Sequence, residues 1–147
     1  MVALNLPQFD VNLKKSEGKV WIFDGIRKKY IVLTPEEWVR QHLIHYFIYH
    51  LKYPKSLIGV ERGLQYNQLQ KRSDIIVFNR SGNPWMIVEC KSPEVELDQK
   101  SIRQVAVYNS DVKAKYVSVS NGLKHTCYEA TKDLKGVVLL KDFPEYE

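Results

Sequence analysis

Three ionisable residues sit where the surrounding sequence is apolar. Asp74 opens the run Asp74-Ile75-Ile76-Val77-Phe78, and Glu89 and Lys91 close the run Trp85-Met86-Ile87-Val88-Glu89-Cys90-Lys91. Both runs have the β-branched and aromatic content of buried strands. Side chains two apart on a strand share a face, so Glu89 and Lys91 point one way and Cys90 the other. Between the runs, Arg80-Ser81-Gly82-Asn83 reads as a tight turn. A two-residue turn at Ser81-Gly82 sets Phe78 opposite Trp85 and Asp74 opposite Glu89, with opposed Cβ atoms about 4.5–5.5 Å apart. Two carboxylates that close repel unless a cation lies between them. A hard divalent ion such as Mg²⁺, with Mn²⁺ as a substitute, takes carboxylate oxygens and keeps several waters. Lys91 is then placed to touch a water at the ion or a phosphate oxygen. Another turn would shift the register, and without chemistry Glu89 and Lys91 are simply an exposed pair at a strand end.

Several elements must position these groups. Residues 1–16 read as an irregular arm, and Gly18 to Leu33 as a β-hairpin around Asp24-Gly25. Thr34 is a good N-cap, Pro35 suits the first helical position, and Glu37 stands where a capping-box acid belongs. The helix is expected from Pro35 to about Leu51, ended by Tyr53-Pro54. Strands follow at Leu57 to Tyr66, Ser73 to Asn79 and Pro84 to Lys91, then a helix from Asp98 to Asn109. Lys115 to Ser120 alternates like a strand and stops at Asn121-Gly122. A short helix over Thr126 to Leu134 and a buried strand over Gly136 to Leu140 complete the pattern. Helices alternating with strands imply an α/β sandwich, one helix crossing over before the strand at Lys115.

The composition agrees with a folded chain. There are 147 residues, 44% hydrophobic and 27% charged, the balance of one soluble domain spanning residues 1–147. No apolar run approaches the roughly 18 residues of a membrane span. The opening MVALNLPQFD lacks the layout of a secretory signal, and Cys90 and Cys127 have no paired-motif spacing. A reducing, cytoplasmic setting is expected. No phosphate-binding G-x-x-x-x-G-K-[ST] loop is present, which excludes a motor. The net charge of +5 points towards a polyanion, and Arg62, Lys71, Arg72, Lys100 and Arg103 are candidate phosphate contacts, though each is equally a solvated surface charge. His42 and His45 lack a second ligand pair for zinc.

The spacing Asp74-x14-Glu89-x-Lys91 resembles the PD-(D/E)xK nuclease pattern. With Ile87-Val88-Glu89-Cys90-Lys91-Ser92-Pro93, Lys71-Arg72-Ser73-Asp74, the helix start Pro35-Glu36-Glu37-Trp38-Val39-Arg40 and Gln104-x-x-x-Tyr108, the chain is similar to the N-terminal nuclease domain of type I restriction enzyme R (HsdR) subunits. It is closer still to the small stand-alone bacterial proteins that carry this domain. The likeness covers residues 18–143, leaving 1–17 as an arm. It implies a restriction-endonuclease-like α/β core, a central mixed β-sheet flanked by α-helices, preceded here by the hairpin. It also implies Mg²⁺-dependent cleavage of DNA phosphodiesters.

Carried over from the resemblance, Asp74 and Glu89 are metal ligands and the Cys90 backbone carbonyl a third. Lys91 orients or helps deprotonate the attacking water. Gln104 and Tyr108, four apart on one helical face, position substrate and lysine. Glu37 matches an acid on the first core helix that can bind metal, a role its capping position explains equally well. Two functions stay open: an endonuclease acting alone or as a subunit, and a catalytically silent module that keeps the fold to grip DNA or protein. Expected partners are DNA, restriction-modification subunits or a helicase, and a second copy, since cutting both strands takes two sites.

Overall fold

The computed structural model describes residues 1–66, 69–133 and 136–146, with side chains described outside residues 62–73. Two sheets are built in chain order. Strands β1 (Leu13–Ser16), β2 (Lys19–Asp24) and β3 (Lys29–Val32) form an antiparallel meander. The expected hairpin is therefore β2–β3, and β1 extends it out of the segment read as an irregular arm. Glu17 and Gly18 connect β1 to β2, both with positive φ (53° and 72°), the conformation of a two-residue turn whose twist matches that of the strands. Asp24 closes the β2–β3 connection: its Oδ1 accepts from the amides of Ile26 (2.7 Å) and Arg27 (2.9 Å).

Helix α1 (Pro35–Tyr49) starts on the Thr34 cap, whose hydroxyl accepts from the Glu37 amide at 3.0 Å. Past a short 3-10 turn (Lys55–Leu57), strands β4 (Ile58–Tyr66), β5 (Leu69–Phe78) and β6 (Pro84–Cys90) run antiparallel. Helix α2 (Gln99–Val112), capped by Asp98, returns the chain so that β7 (Tyr116–Ser120) lies parallel to β6. Strands β8 (His125–Ala130) and β9 (Val137–Leu139) complete a six-stranded mixed sheet in sequential order, β4 to β9. The expected helix after Thr126 is instead β8. The Asn121 carboxamide accepts from the Leu123 and Lys124 amides, which folds the chain back so that His125 pairs with Ser120. Pairing along β7 then outweighs the helix-forming residues Glu129, Ala130 and Lys132.

The alternation of β5 and β6 separates two cores. Ile75, Val77, Met86, Val88 and Cys90 pack with Val39, Leu43 and Phe47 of α1. On the other face Ile76 and Ile87 pack with Val105 and Val112 of α2. Ile76 and Ile87 mark the α2 side of β5 and β6, while the Asp74 carboxylate turns to Arg40 of α1 at 2.9 Å. Helix α1 also buries Glu37, Arg40 and Gln41, which no single apolar stripe explains. These polar side chains answer the N-terminal sheet, as Gln41 donates to Asp24 at 2.9 Å. Among the described residues, no helix is long and apolar enough to cross a membrane.

Candidate active site

The β5–β6 pairing sets Ile75 opposite Val88, Ile76 opposite Ile87 and Val77 opposite Met86, the register expected from the sequence. The route to it differs. Phe78 pairs with Pro84, not Trp85, because the connection is longer than two residues: the Asn79 amide donates to the Asn83 carbonyl at 2.8 Å. A register shift between Val77 and Phe78 compensates for it. One step beyond Ile75–Val88, Asp74 uses its side chain: Oδ2 accepts from the Cys90 amide at 2.7 Å. The carboxylate thus occupies a strand-pairing position and ties the end of β6 to β5. Next to it Lys91 Nζ lies 3.2 Å from Glu89 Oε1, both about one-third exposed. Cys90 points the other way and is buried in the α1-side core, where desolvation raises its thiol pKa far out of the reactive range.

Asp74 Oδ1 accepts from Arg40 at 2.9 Å. Arg40 also grips Glu37 at 2.6 Å and Glu61 at 3.3 Å. Burial works against the Arg40 charge, but Glu37 and Asp74 outweigh it and raise its pKa. A second arginine extends the lattice: Arg27 reaches Asp24 at 2.7 Å, Glu37 at 3.1 Å and Glu61 at 3.0 Å. Glu61 makes these contacts from inside β4 with a φ of 51°. A non-glycine residue in that region costs roughly 1–2 kcal/mol. Burial pushes the Asp24 carboxyl up, yet hydrogen bonds from the Arg27 backbone, the Arg27 side chain and Gln41 hold it below its ordinary 3.8. Acids and arginines alternate from Asp24 in the N-terminal sheet to Asp74 in the site.

The helix acid near the site is Glu36, whereas sequence reasoning chose Glu37. Glu37 is 4% exposed and spends its carboxylate on Arg27, Arg40 and Gln41. Only half of a capping box forms, the Thr34 half. Glu36 is exposed, and its pKa is raised by burial first and then by Asp74, with Glu89 adding to the same effect and Arg40 and Lys91 opposing it. The signal was present: Glu37, Arg40 and Gln41 stand at helical spacing and share a face, which turns Glu36 about a quarter-turn away. Tyr108 is half-buried against the Ile76–Ile87 core, while Gln104 is exposed on α2. Lys100 and Arg103 are exposed on the same helix. Arg62, Lys71 and Arg72 fall outside the described side chains.

Among the described residues, no three His, Cys, Asp or Glu side chains are gathered closely enough to cage a metal. Zn²⁺ needs four protein donors or three and a water, whereas carboxylates such as Asp74 and Glu89 are the donor type Mg²⁺ takes while keeping several waters. Asp74 keeps capacity for it: a carboxylate has about four lone-pair sites, of which Arg40 and Cys90 take two. His42 Nδ1 is hydrogen-bonded to the Trp38 carbonyl at 2.8 Å, and among the described residues no group of three His, Cys, Asp or Glu ligands forms around it.

Solved structures share this fold. The type IIG restriction endonuclease BpuSI superposes with a TM-score of 0.52 at 16% identity, covering 72% of this chain and 13% of that one. The chain thus spans only a small part of BpuSI. A DUF820 protein from Anabaena variabilis ATCC 29413, described as a candidate nuclease, gives 0.50 at 12% identity, covering 93% of this chain and 80% of that one. No curated protein matches the chain. Residues 35–144, from the first turn of α1 to the C-terminal segment, match the family described as type I restriction enzyme R protein N terminus (HSDR_N), and the chain belongs to that family.

Proposed function

We propose that the chain is a Mg²⁺-dependent DNA endonuclease, working alone or as the cutting subunit of a restriction-type assembly. The observation that supports this reading is that the Asp74 carboxylate takes the amide of Cys90 at 2.7 Å, the residue between Glu89 and Lys91, which pair with each other at 3.2 Å. Asp74, Glu89 and the Cys90 carbonyl would hold the ion, with Glu36 the nearby helix acid in place of Glu37. When bound, the ion would polarise the phosphodiester and lower the pKa of an attacking water. Lys91 would shed Glu89 to orient that water and stabilise charge growing on phosphate oxygens. Tyr108, Lys100 and Arg103 would hold the DNA beside the cluster, together with Arg62, Lys71, Arg72 and Gln104.

One observation favours the silent binding module: Arg40 and Lys91 already neutralise Asp74 and Glu89. Incubation of the protein with supercoiled and linear DNA in Mg²⁺, Mn²⁺ or EDTA separates the two. The nuclease nicks only with metal, and Asp74→Ala and Lys91→Ala both lose the nicking. DNA retention that falls with salt, without nicking in either metal, would establish the module instead.

A further inference from the structure

The positive charge of this protein is not spread evenly. Residues 13–32, which form the N-terminal sheet, hold six basic residues against two acidic ones, a net of +4 out of +5. One of those acids, Asp24, is fully buried and paired to Arg27. The five lysines of the sheet, Lys14, Lys15, Lys19, Lys28 and Lys29, are all exposed, and among the described residues none forms an ion pair. So charged a surface repels itself unless a polyanion covers it.

The two faces of the sheet differ in kind. Ile22 and Asp24 are buried against the body of the protein. The register places Lys14, Trp21 and Val32 in one row of the opposite face, Phe23 and Tyr30 in the next, and Lys19 beyond. Phe23 is 37% exposed and meets Tyr30 edge-on at 5.3 Å, and Lys14 Nζ lies 4.2 Å from the Tyr30 ring centre. Rings are held in place there: Trp21 donates to the Ser16 carbonyl at 3.1 Å and Tyr30 to Asn12 at 3.0 Å. Trp21 and Phe23, two residues apart on one strand, are spaced about 6.6–7 Å. That is about twice the 3.4 Å step of stacked bases in a duplex strand. Extended, unstacked bases can meet such rings one by one, whereas duplex DNA hides its base faces.

We propose that this face is a binding platform for single-stranded DNA, with Trp21, Phe23 and Tyr30 stacking on bases and Lys14 and Lys19 tracking the phosphates. The proposal rests on the nuclease reading only for the choice of DNA as polymer. It gives the cutting site a substrate class, DNA with an unpaired stretch.

Anisotropy of a fluorescein-labelled oligothymidylate, titrated with the full chain in EDTA, tests it without cleavage. The single strand is expected to bind about ten-fold more tightly than a duplex of equal length, and to quench the tryptophan emission of the unaltered protein. Phe23→Ala should weaken binding about five-fold or more, and Lys14→Glu with Lys19→Glu should do so while flattening the salt dependence. Equal affinity for the duplex, no binding, no quenching, or a loss confined to the lysine variant would each overturn the platform. If Phe23→Ala fails to fold, the quenching decides the stacking. Binding without metal-dependent nicking would sink the nuclease reading alone, and nicking without strand preference would sink only this one.

Discussion

At the scale of single residues, the site is a contest over Asp74. Its carboxylate serves as a backbone substitute for Cys90 and as the counter-charge of Arg40, and it must still offer lone pairs to a cation. Lys91 and Glu89 pair with each other at 3.2 Å. Their pair is partly exposed, so it contributes little to stability, on the order of 0–1 kcal/mol. Lys91→Ala should therefore melt within a few degrees of wild type, yet lose about 10²–10³-fold in nicking rate, the cost of one stabilising donor. A thermal melt beside a nicking time course checks both halves, and a parallel loss of stability would assign Lys91 a structural role. The register of Ile75 with Val88, one step before Asp74, was legible because a longer loop and a bulge cancelled. The choice between Glu36 and Glu37 was not, because the capping position of Glu37 masked its pairing with Arg27, which comes from another element.

At the scale of elements, stability is concentrated where α1 meets both sheets. Arg40 is 5% exposed and neutralises three carboxylates. Arg40→Met would leave Glu37 buried with one of its two arginines and should cost about 3–5 kcal/mol in urea unfolding. A loss below 1 kcal/mol would show that the ion-pair lattice is ornamental. The β1–β2 turn gives a prediction of opposite sign. Glu17 holds a φ of 53° that asparagine adopts more readily, so Glu17→Asn should stabilise the protein by about 0.5–1 kcal/mol by the same measurement. Helices α1 and α2 and strands β4 to β7 were readable from caps, periodicity and turn dipeptides. Strand β1 was not, since all four of its residues are exposed and no alternation marks it. Strand β8 was not either, since its helix-forming residues are overruled by pairing with β7.

At the scale of the whole molecule, the two sheets are joined through charge. The lattice from Asp24 to Asp74 crosses α1, so a continuous chain of ion pairs links the N-terminal sheet to the end of β5. Acid should weaken the molecule at several places, two of them the buried side chains His42 and Asp24. Burial lowers the His42 pKa below its ordinary 6.5, with the Trp38 carbonyl opposing, and Asp24 is held below 3.8. In both cases the unfolded chain binds the proton first, so stability is lost as pH falls, below about 6.5 for His42 and below about 3.8 for Asp24. Glu36, with its pKa raised, works the other way and returns a part between its raised value and 4.5. The urea midpoint of wild type should fall between about pH 7.5 and pH 5.5, and that of His42→Leu should fall less. The central claim is that Asp74 and Glu89 together bind one divalent ion. Calorimetric titration of Mg²⁺ into wild type, Asp74→Asn and Glu89→Gln tests it most directly: one binding event in wild type, lost in both variants, is the predicted result, and the same isotherm in all three would contradict it.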